Sequence, residues 1–409
     1  ERAQQWPKFL PDGEHFVYKS IRQEGERAIF VASTDRKKPP RKLIAADAAE
    51  IAPPRHLLFV RESTALAQEI DLGNLEMKGA AVPIVENLGT NEGTGYVAIT
   101  ASSSGVLAYR ASQAGARNRL AWFDRTGREL GAVLEPGFYF DPAISPDGKK
   151  IAYALADPGK QMVGDIWIVD AVRGTRSRLT FDPADEYAPV WAPDGSSVAY
   201  SLAGGDQRKI LRKLASGAGE PQVMLDRADV RAISDWSRDG RFFGFVSHSG
   251  TLDIGVAALE GAAWKPEVFL KTPFDEAGAR FSPDGKWIAY VSAENGRAEV
   301  FLQTFPPSGG KWQISTAGGA QPVWRGDGRE LFYLDLQTRL MSVKLEFQAE
   351  TVEASVPETL FQAQLGGPLL AWNHYDVTAD GQTFLFDPPS EASSAMPITV
   401  VLGWNAKVP

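Results

Sequence analysis

The chain has 409 residues, 44% of them hydrophobic and 23% charged, with a formal net charge of −8 and no cysteine. This is the composition of a folded protein rather than a disordered one. It excludes disulfides and thiolate metal sites, and it lacks the basic face that nucleic-acid phosphates or an anionic membrane would attract.

The sequence opens on Glu1 without an initiator Met or an apolar leader, which reads as a mature form or an excised piece. No run approaches the ~20 apolar residues of a membrane helix. A repeat starts at once, with FLPDGEHFVYKS from Phe9. Two apolar segments flank an Asp-Gly pair, the pattern of two strands joined by a tight turn. A third strand follows at AIFVASTD from Ala28 and a fourth at RKLIA from Arg41. Weaker copies come next, APPRHLLFV from Ala52 and ASSSGVLAY from Ala101. Clear copies then run to the end: AISPDGKKIAYA from Ala143, VWAPDGSSVAYS from Val190, DWSRDGRFFGFVS from Asp235, RFSPDGKWIAYVS from Arg280, VWRGDGRELFYLD from Val323 and DVTADGQTFLFD from Asp376.

The turn glycines are Gly13, Gly148, Gly195, Gly240, Gly285, Gly328 and Gly381. From Gly148 their spacings are 47, 45, 45, 43 and 53, and the 135 residues between Gly13 and Gly148 hold three units. Four residues before each glycine lies a large apolar residue (Phe9, Ile144, Trp191, Trp236, Phe281, Trp324, Val377), and five after it an aromatic (Tyr18, Tyr153, Tyr200, Phe245, Tyr290, Tyr333, Phe386). Four short strands in about 45 residues are the signature of a propeller blade. The fold class is therefore all-β, a β-propeller of four-stranded antiparallel blades with eight to nine repeat units. The last unit shows strands near Tyr375, Phe384 and Thr399–Trp404 and no fourth strand. Closure has two readings. In the preferred one, residues 1–409 form a single ring. In the alternative, a partial propeller at 1–128 precedes a six-bladed ring at 129–409, complete from about residue 138 and with Glu129–Glu135 finishing its last blade.

The turn aspartates Asp12, Asp147, Asp194, Asp239, Asp284, Asp327 and Asp380 are expected to be structural, since Asp in such a turn bonds nearby backbone amides. The repeated Trp and Tyr are expected between blades. His15, His56, His248 and His374 are far apart and lack metal-ligand spacing, and His15, beside a turn, is expected to be exposed. No catalytic or metal-ligating residue emerges. The connections from each fourth strand to the next inner strand are acidic: Asp47 and Glu50; Asp182, Asp185 and Glu186; Asp226 and Asp229; Asp275 and Glu276. Loops of that kind gather around one end of a propeller channel. A negative mouth made by Asp182, Asp185, Glu186, Asp229, Asp275 and Glu276 would favour a cationic ligand, a divalent cation or a basic peptide. The competing reading is solvated loop charge, turn capping, or pairing with Arg231 and Arg280.

The repeats resemble those of TolB-like proteins. The stretch from Asp141 to Pro307 is similar to the propeller regions that follow a kinase domain and a membrane helix in some bacterial serine/threonine protein kinases. The residues carrying this likeness are FDPADEYAPVWAPDG from Phe181, TPFDEAGARFSPDGKWIAYVS from Thr272, EVFLQTFPPSGGKWQISTAGGAQPVW from Glu299 and PITVVLGWN from Pro397. The kinase motifs themselves are absent from this sequence. The resemblance implies a bacterial, periplasmic or extracytoplasmic sensor or protein-interaction module, without a cofactor, that binds a protein or peptide, with a kinase and a membrane helix upstream in the full-length protein. Two other functions stay open: a lyase or glycosidase working in the channel, which needs converging carboxylates, and a structural subunit of a larger assembly. A peptidase of the prolyl-oligopeptidase kind would need a Gly-x-Ser-x-Gly elbow, and none is found.

Overall fold

A computed structural model of the protein describes residues 3–21, 27–35, 38–61, 64–86, 88–91, 96–110, 117–156, 164–205, 207–348, 351–370, 372–390 and 398–407. Pro397 lies outside them. Among the described residues the regular structure is strand, with one short 3-10 turn at Trp404–Lys407.

The seven turns form as their sequence dictates. In each, the aspartate accepts a backbone amide two residues on: Glu14 onto Asp12, Lys149 onto Asp147, Ser196 onto Asp194, Arg241 onto Asp239, Lys286 onto Asp284, Arg329 onto Asp327 and Gln382 onto Asp380, all at 2.9–3.1 Å. The following glycine takes a positive φ, as at Gly148 (71°), a region costly for residues with a Cβ. The turn aspartates are thus structural.

The protein divides into two compact units: residues 116–392, and residues 1–115 together with 393–409. The larger unit contains six antiparallel sheets. Blade 1 is Tyr139–Ile144, Lys150–Ala156, Gly164–Asp170 and Arg176–Arg178; blade 2 is Asp185–Trp191, Ser197–Gly204, Gln207–Leu214 and Gln222–Asp226. Blade 3 is Val230–Trp236, Phe242–His248, Leu252–Glu260 and Ala263–Leu270; blade 4 is Glu276–Phe281, Trp287–Ser292, Glu299–Thr304 and Lys311–Gln313. Blade 5 is Ala320–Trp324, Glu330–Leu334, Arg339–Gln348 and Glu358–Gln362, with Thr351–Ala354 paired to the far end of its long third strand. Blade 6 joins Tyr375–Val377 and Thr383–Phe386 to Ala121–Asp124 and Glu129–Ala132, which precede blade 1 in the sequence.

Apolar clusters fill the spaces between consecutive blades. One of them packs Leu385 of blade 6 against Tyr139, Ile151 and Tyr153 of blade 1, so the six sheets close on themselves. The aromatic expected five residues after each glycine is buried in every blade. Burying one such aromatic contributes about 1.5–3 kcal/mol. Trp191 and Trp324 also donate their indole N–H to the inner strand of the preceding blade, at Ala143 O and Arg280 O, both at 3.0 Å.

The sequence offers a single ring at 1–409 or a six-bladed ring at 129–409 after a partial propeller at 1–128; the observed units are residues 116–392 and residues 1–115 with 393–409. A repeat count registers how many blades exist but not which strands pair at the seam. The strand expected as the third of the last unit is also reassigned. Ile398–Leu402 pairs with Val106–Arg110 in the smaller unit, and blade 6 takes Ala121–Asp124 in its place.

The smaller unit has a four-stranded sheet from Ala3–Phe9 to Arg41–Ala45 and a second from Ala48–Ala52 to Glu76–Val85. Its third sheet is Ile99–Ala101, Val106–Arg110 and Ile398–Leu402, and a short hairpin pairs Thr90–Asn91 with Tyr96–Val97. Apolar clusters link the first sheet to the second and the second to the third.

Candidate functional site

The inner strands of the ring share one irregularity. In blades 1, 2, 4 and 5 the pairing of inner and second strand skips two residues: Asp141-Pro142, Ala188-Pro189, Gly278-Ala279 and Gln321-Pro322. The first residue of each pair takes a positive φ of 50–67°. A bulge frees its residues from the ladder, which is why proline, lacking an N–H, is tolerated at the second place. Each bulge lies seven residues before its turn glycine.

Side chains at and beside the bulges tie neighbouring blades together. Asp141 of blade 1 accepts Ala188 N–H of blade 2 at 3.1 Å and Asn373 N–H, just before blade 6, at 2.7 Å. Gln321 of blade 5 accepts His374 N–H at 2.8 Å. Two residues further along the strand, Asp235 of blade 3 accepts Phe281 N–H of blade 4, and Asp376 of blade 6 accepts Ile144 N–H of blade 1, both at 2.7 Å. Ser201 of blade 2 accepts Ile233 N–H of blade 3 at 2.8 Å. Between blades 4 and 5 the Trp324 indole makes the link. Every seam of the ring is thus bridged at its inner strands.

Asp141 is buried, and Asp235 and Asp376 are partly buried. Burial pushes Asp235 up to about 6, although the Arg280 guanidinium, 3.8 Å away, pulls the other way. Burial also raises Asp141 and Asp376. Behind them His374, fully buried, directs Nδ1 at both oxygens of Asp387 (2.9 and 3.0 Å) and Nε2 at Pro368 O (3.0 Å). Burial disfavours its charged form, but the Asp387 carboxylate outweighs that and raises its pKa. This pair fastens the connection between blades 5 and 6, where Asp387 also accepts the Trp372 indole N–H at 3.3 Å.

No family model matches the sequence, and no curated protein matches it either. Among solved structures it is similar to a putative TolB from Agrobacterium tumefaciens, at 18% identity and a TM-score of 0.51, covering 67% of this chain and 98% of that one. It is also similar to TolB from Acinetobacter baumannii, at 16% identity and a TM-score of 0.45, covering 83% of this chain and 78% of that one. The fold is that of a TolB-like propeller.

The acidic residues expected at the channel mouth occupy separate places in this TolB-like ring. Asp182 accepts Ala184 N–H at 2.9 Å within its own loop. Asp185, at the start of the inner strand of blade 2, is raised by burial, and its Oδ1 has no hydrogen-bond partner among the described residues. Glu186 is buried in the seam between blades 1 and 2 and pushed up to about 7 by that burial, with Thr180 the hydroxyl beside it. Glu276 takes the equivalent place between blades 3 and 4, bonded to Thr272 and to Ser292. In the connection from blade 4 to blade 5 the hydroxyl of Ser315 instead meets Glu299 from the third strand of blade 4. Asp229 forms a two-pronged ion pair with Arg227 (2.6 and 2.9 Å), and Asp275 accepts Leu252 N–H at 2.8 Å.

The six differ in their surroundings, and no group of three or more acidic or histidine side chains suited to a metal ion occurs among the described residues. Two of them, Glu186 and Glu276, line seams between blades, because an inner-strand side chain points at a neighbouring sheet rather than into the mouth. The histidines are equally dispersed: His15 is partly covered and bonded to Asp12 at 2.8 Å, and His56 packs on Trp404.

Sequence reasoning passed over Asp141, Asp235, Gln321 and Asp376 as inner-strand clamps. The proline six residues before the turn glycine (Pro7, Pro142, Pro189, Pro322) was the available signal for the bulge that positions two of them.

Proposed function

We propose that the protein is a non-catalytic binding module, an extracytoplasmic propeller that engages a polypeptide partner through one end of the six-bladed ring. One observation carries this reading. The inner-strand carboxylates Asp141, Asp235 and Asp376 are engaged as acceptors for backbone amides of neighbouring blades, while connections leading into the inner strands hold apolar side chains out to solvent. Phe181 is 65% exposed, Phe274 43% and Leu370 67%. Each lies between an outer strand and the next inner strand, and in a meander of this order those connections share one end of the ring. Exposed aromatic and aliphatic anchors on a rigid scaffold are what polypeptide interfaces use. The resemblance to TolB-like proteins and to kinase-linked propellers supports an extracytoplasmic place and a sensing role.

The test is crosslinking in a bacterial periplasmic extract, comparing the wild type with a variant carrying Phe181→Ser, Phe274→Ser and Leu370→Ser. Protein crosslinks lost in the variant at unchanged Tm support the proposal. Crosslinks that persist in the variant, or turnover of an oligosaccharide or uronide panel by the wild type, would remove it.

A further inference from the structure

The second inference concerns the smaller unit and stands apart from the function proposed for the ring. Lys19 lies in the second strand of the first sheet, opposite Gln5 and Ile29. It is only 5% exposed, yet its ammonium has no hydrogen-bond or ion-pair partner among the described residues. A lysine so deeply covered ordinarily has a carboxylate within reach. The nearest acids are already taken: Asp47 pairs with Arg27 at 3.2 Å and Glu50 with Lys8 at 3.1 Å. Burial first, and the Arg27 charge second, lower the pKa of Lys19, and the more distant pull of Asp47 does not offset them.

Lys19 opens onto a narrow cleft along the inner strands of this unit. Trp6, Val17 and Tyr18 line it from the first sheet, Ala48 and Glu50 from the second, and Val97 from the short hairpin. Trp6 is 41% exposed and sits in an inner-strand bulge with φ 56°. Among the described residues the charges beside the cleft are three cations (Lys8, Lys19, Arg27) against two anions (Asp47, Glu50), so one positive charge is left unmatched where Lys19 lines the cleft.

We propose that this cleft binds an organic carboxylate with an apolar body: the carboxylate enters to meet the Lys19 ammonium, and the apolar part rests against Trp6. A charge-assisted bond in a desolvated site is stronger than one at an open surface. The competing explanation is that Lys19 threads its stem through apolar surface and keeps its head in water. That arrangement has no preference for a carboxylate.

The experiment titrates the 409-residue protein with 4-fluorophenylacetate and with its amide, followed by ¹⁹F NMR, and repeats both with Lys19→Met. The acid is expected to bind about tenfold more tightly than the amide, a preference of about 1.4 kcal/mol, and Lys19→Met is expected to erase it. Equal binding of acid and amide by the wild type overturns the proposal, as does no binding up to about 10 mM, a Kd limit weaker than about −3 kcal/mol. Because the acid–amide comparison is made on the wild type, it holds even if the variant folds poorly. A blocked dipeptide ending in Phe, with a free or an amidated α-carboxyl, identifies the source of the ligand. Preference for the free peptide over 4-fluorophenylacetate marks a polypeptide C-terminus, and the reverse marks a small acid; either ranking requires the site.

Discussion

The same repeat builds a closed ring in one unit and three sheets in the other, and the polar residues of the two fare differently. Six residues after the turn glycine, the ring carries Ser201 in blade 2 and Asp387 in blade 6, one holding Ile233 N–H and the other His374. The corresponding residue of the smaller unit is Lys19, with no partner among the described residues. Five residues before the glycine, the ring carries Asp235 and Asp376, each clamping the next blade. The smaller unit has Lys8, partly exposed and paired with Glu50. Closure turns polar groups of the first and second strands into mutual acceptors and donors, and the smaller unit leaves Lys19 without such a partner among the described residues.

The sharpest way to break this comparison is substitution at the shared position. Asp376→Ala strands Ile144 N–H in the seam between blades 6 and 1, and we expect a loss of about 3 kcal/mol in urea unfolding. Lys8→Ala removes a half-exposed ion pair and should cost about 0.5 kcal/mol or less. Similar losses from both would mean that the ring gains nothing from its clamps.

A smaller effect separates the units by pH. The pKa of Glu186 is raised from 4.5 to about 7 in the folded ring. Its contribution is therefore fully present below the unfolded value and is lost as the pH rises through about 7, a change of about 3 kcal/mol at most. Glu186→Gln should flatten that part of the ring's stability profile. Asp71 of the smaller unit has the opposite sign. The Lys78 ammonium, bonded at 2.7 Å, and the amides of Gly73 and Asn74 hold it down to about 2, so its contribution is present above the unfolded value and disappears as the pH falls toward 2. Thermal unfolding at pH 2, pH 4.5 and pH 8 with unit-specific probes reads both signs, Asp71 between the first two and Glu186 between the last two.

The smallest expected effect is one that should not discriminate. Gly148 and Gly13 have φ of 71° and 72° with open space where a Cβ would stand. Gly→Ala at either should cost about 1 kcal/mol from backbone strain alone. Unequal costs would show that the turns are not equivalent.

Much of this was legible in the amino-acid sequence. Asp-Gly spacing and the Trp/Phe and Tyr/Phe pair around it are local, and local chemistry decided both the turns and the faces of the sheets. The seam was not legible. Ala121 pairs with Phe386, and nothing in the periodicity near either residue indicates the other. The clamps were illegible for a related reason. Position by position they differ in residue type, with Asp141, Ala188, Gly278 and Gln321 at one level, because each answers a particular neighbour rather than the repeat. The acidic connections were only partly legible because sequence distance from a loop does not say whether a side chain turns outward or into a seam, and Glu186 and Glu276 are buried.

The seam has a consequence for synthesis. Ala121–Asp124 leaves the ribosome long before its partner Thr383–Phe386, so its hydrogen-bonding edge waits through the making of five blades. Val106–Arg110 waits still longer for Ile398–Leu402. Pairings this distant in sequence form slowly and leave strand edges open to wrong partners in the interval. A nascent polypeptide stalled before residues 398–402 therefore holds every strand of the ring, but in the smaller unit the edge of Val106–Arg110 still lacks its partner.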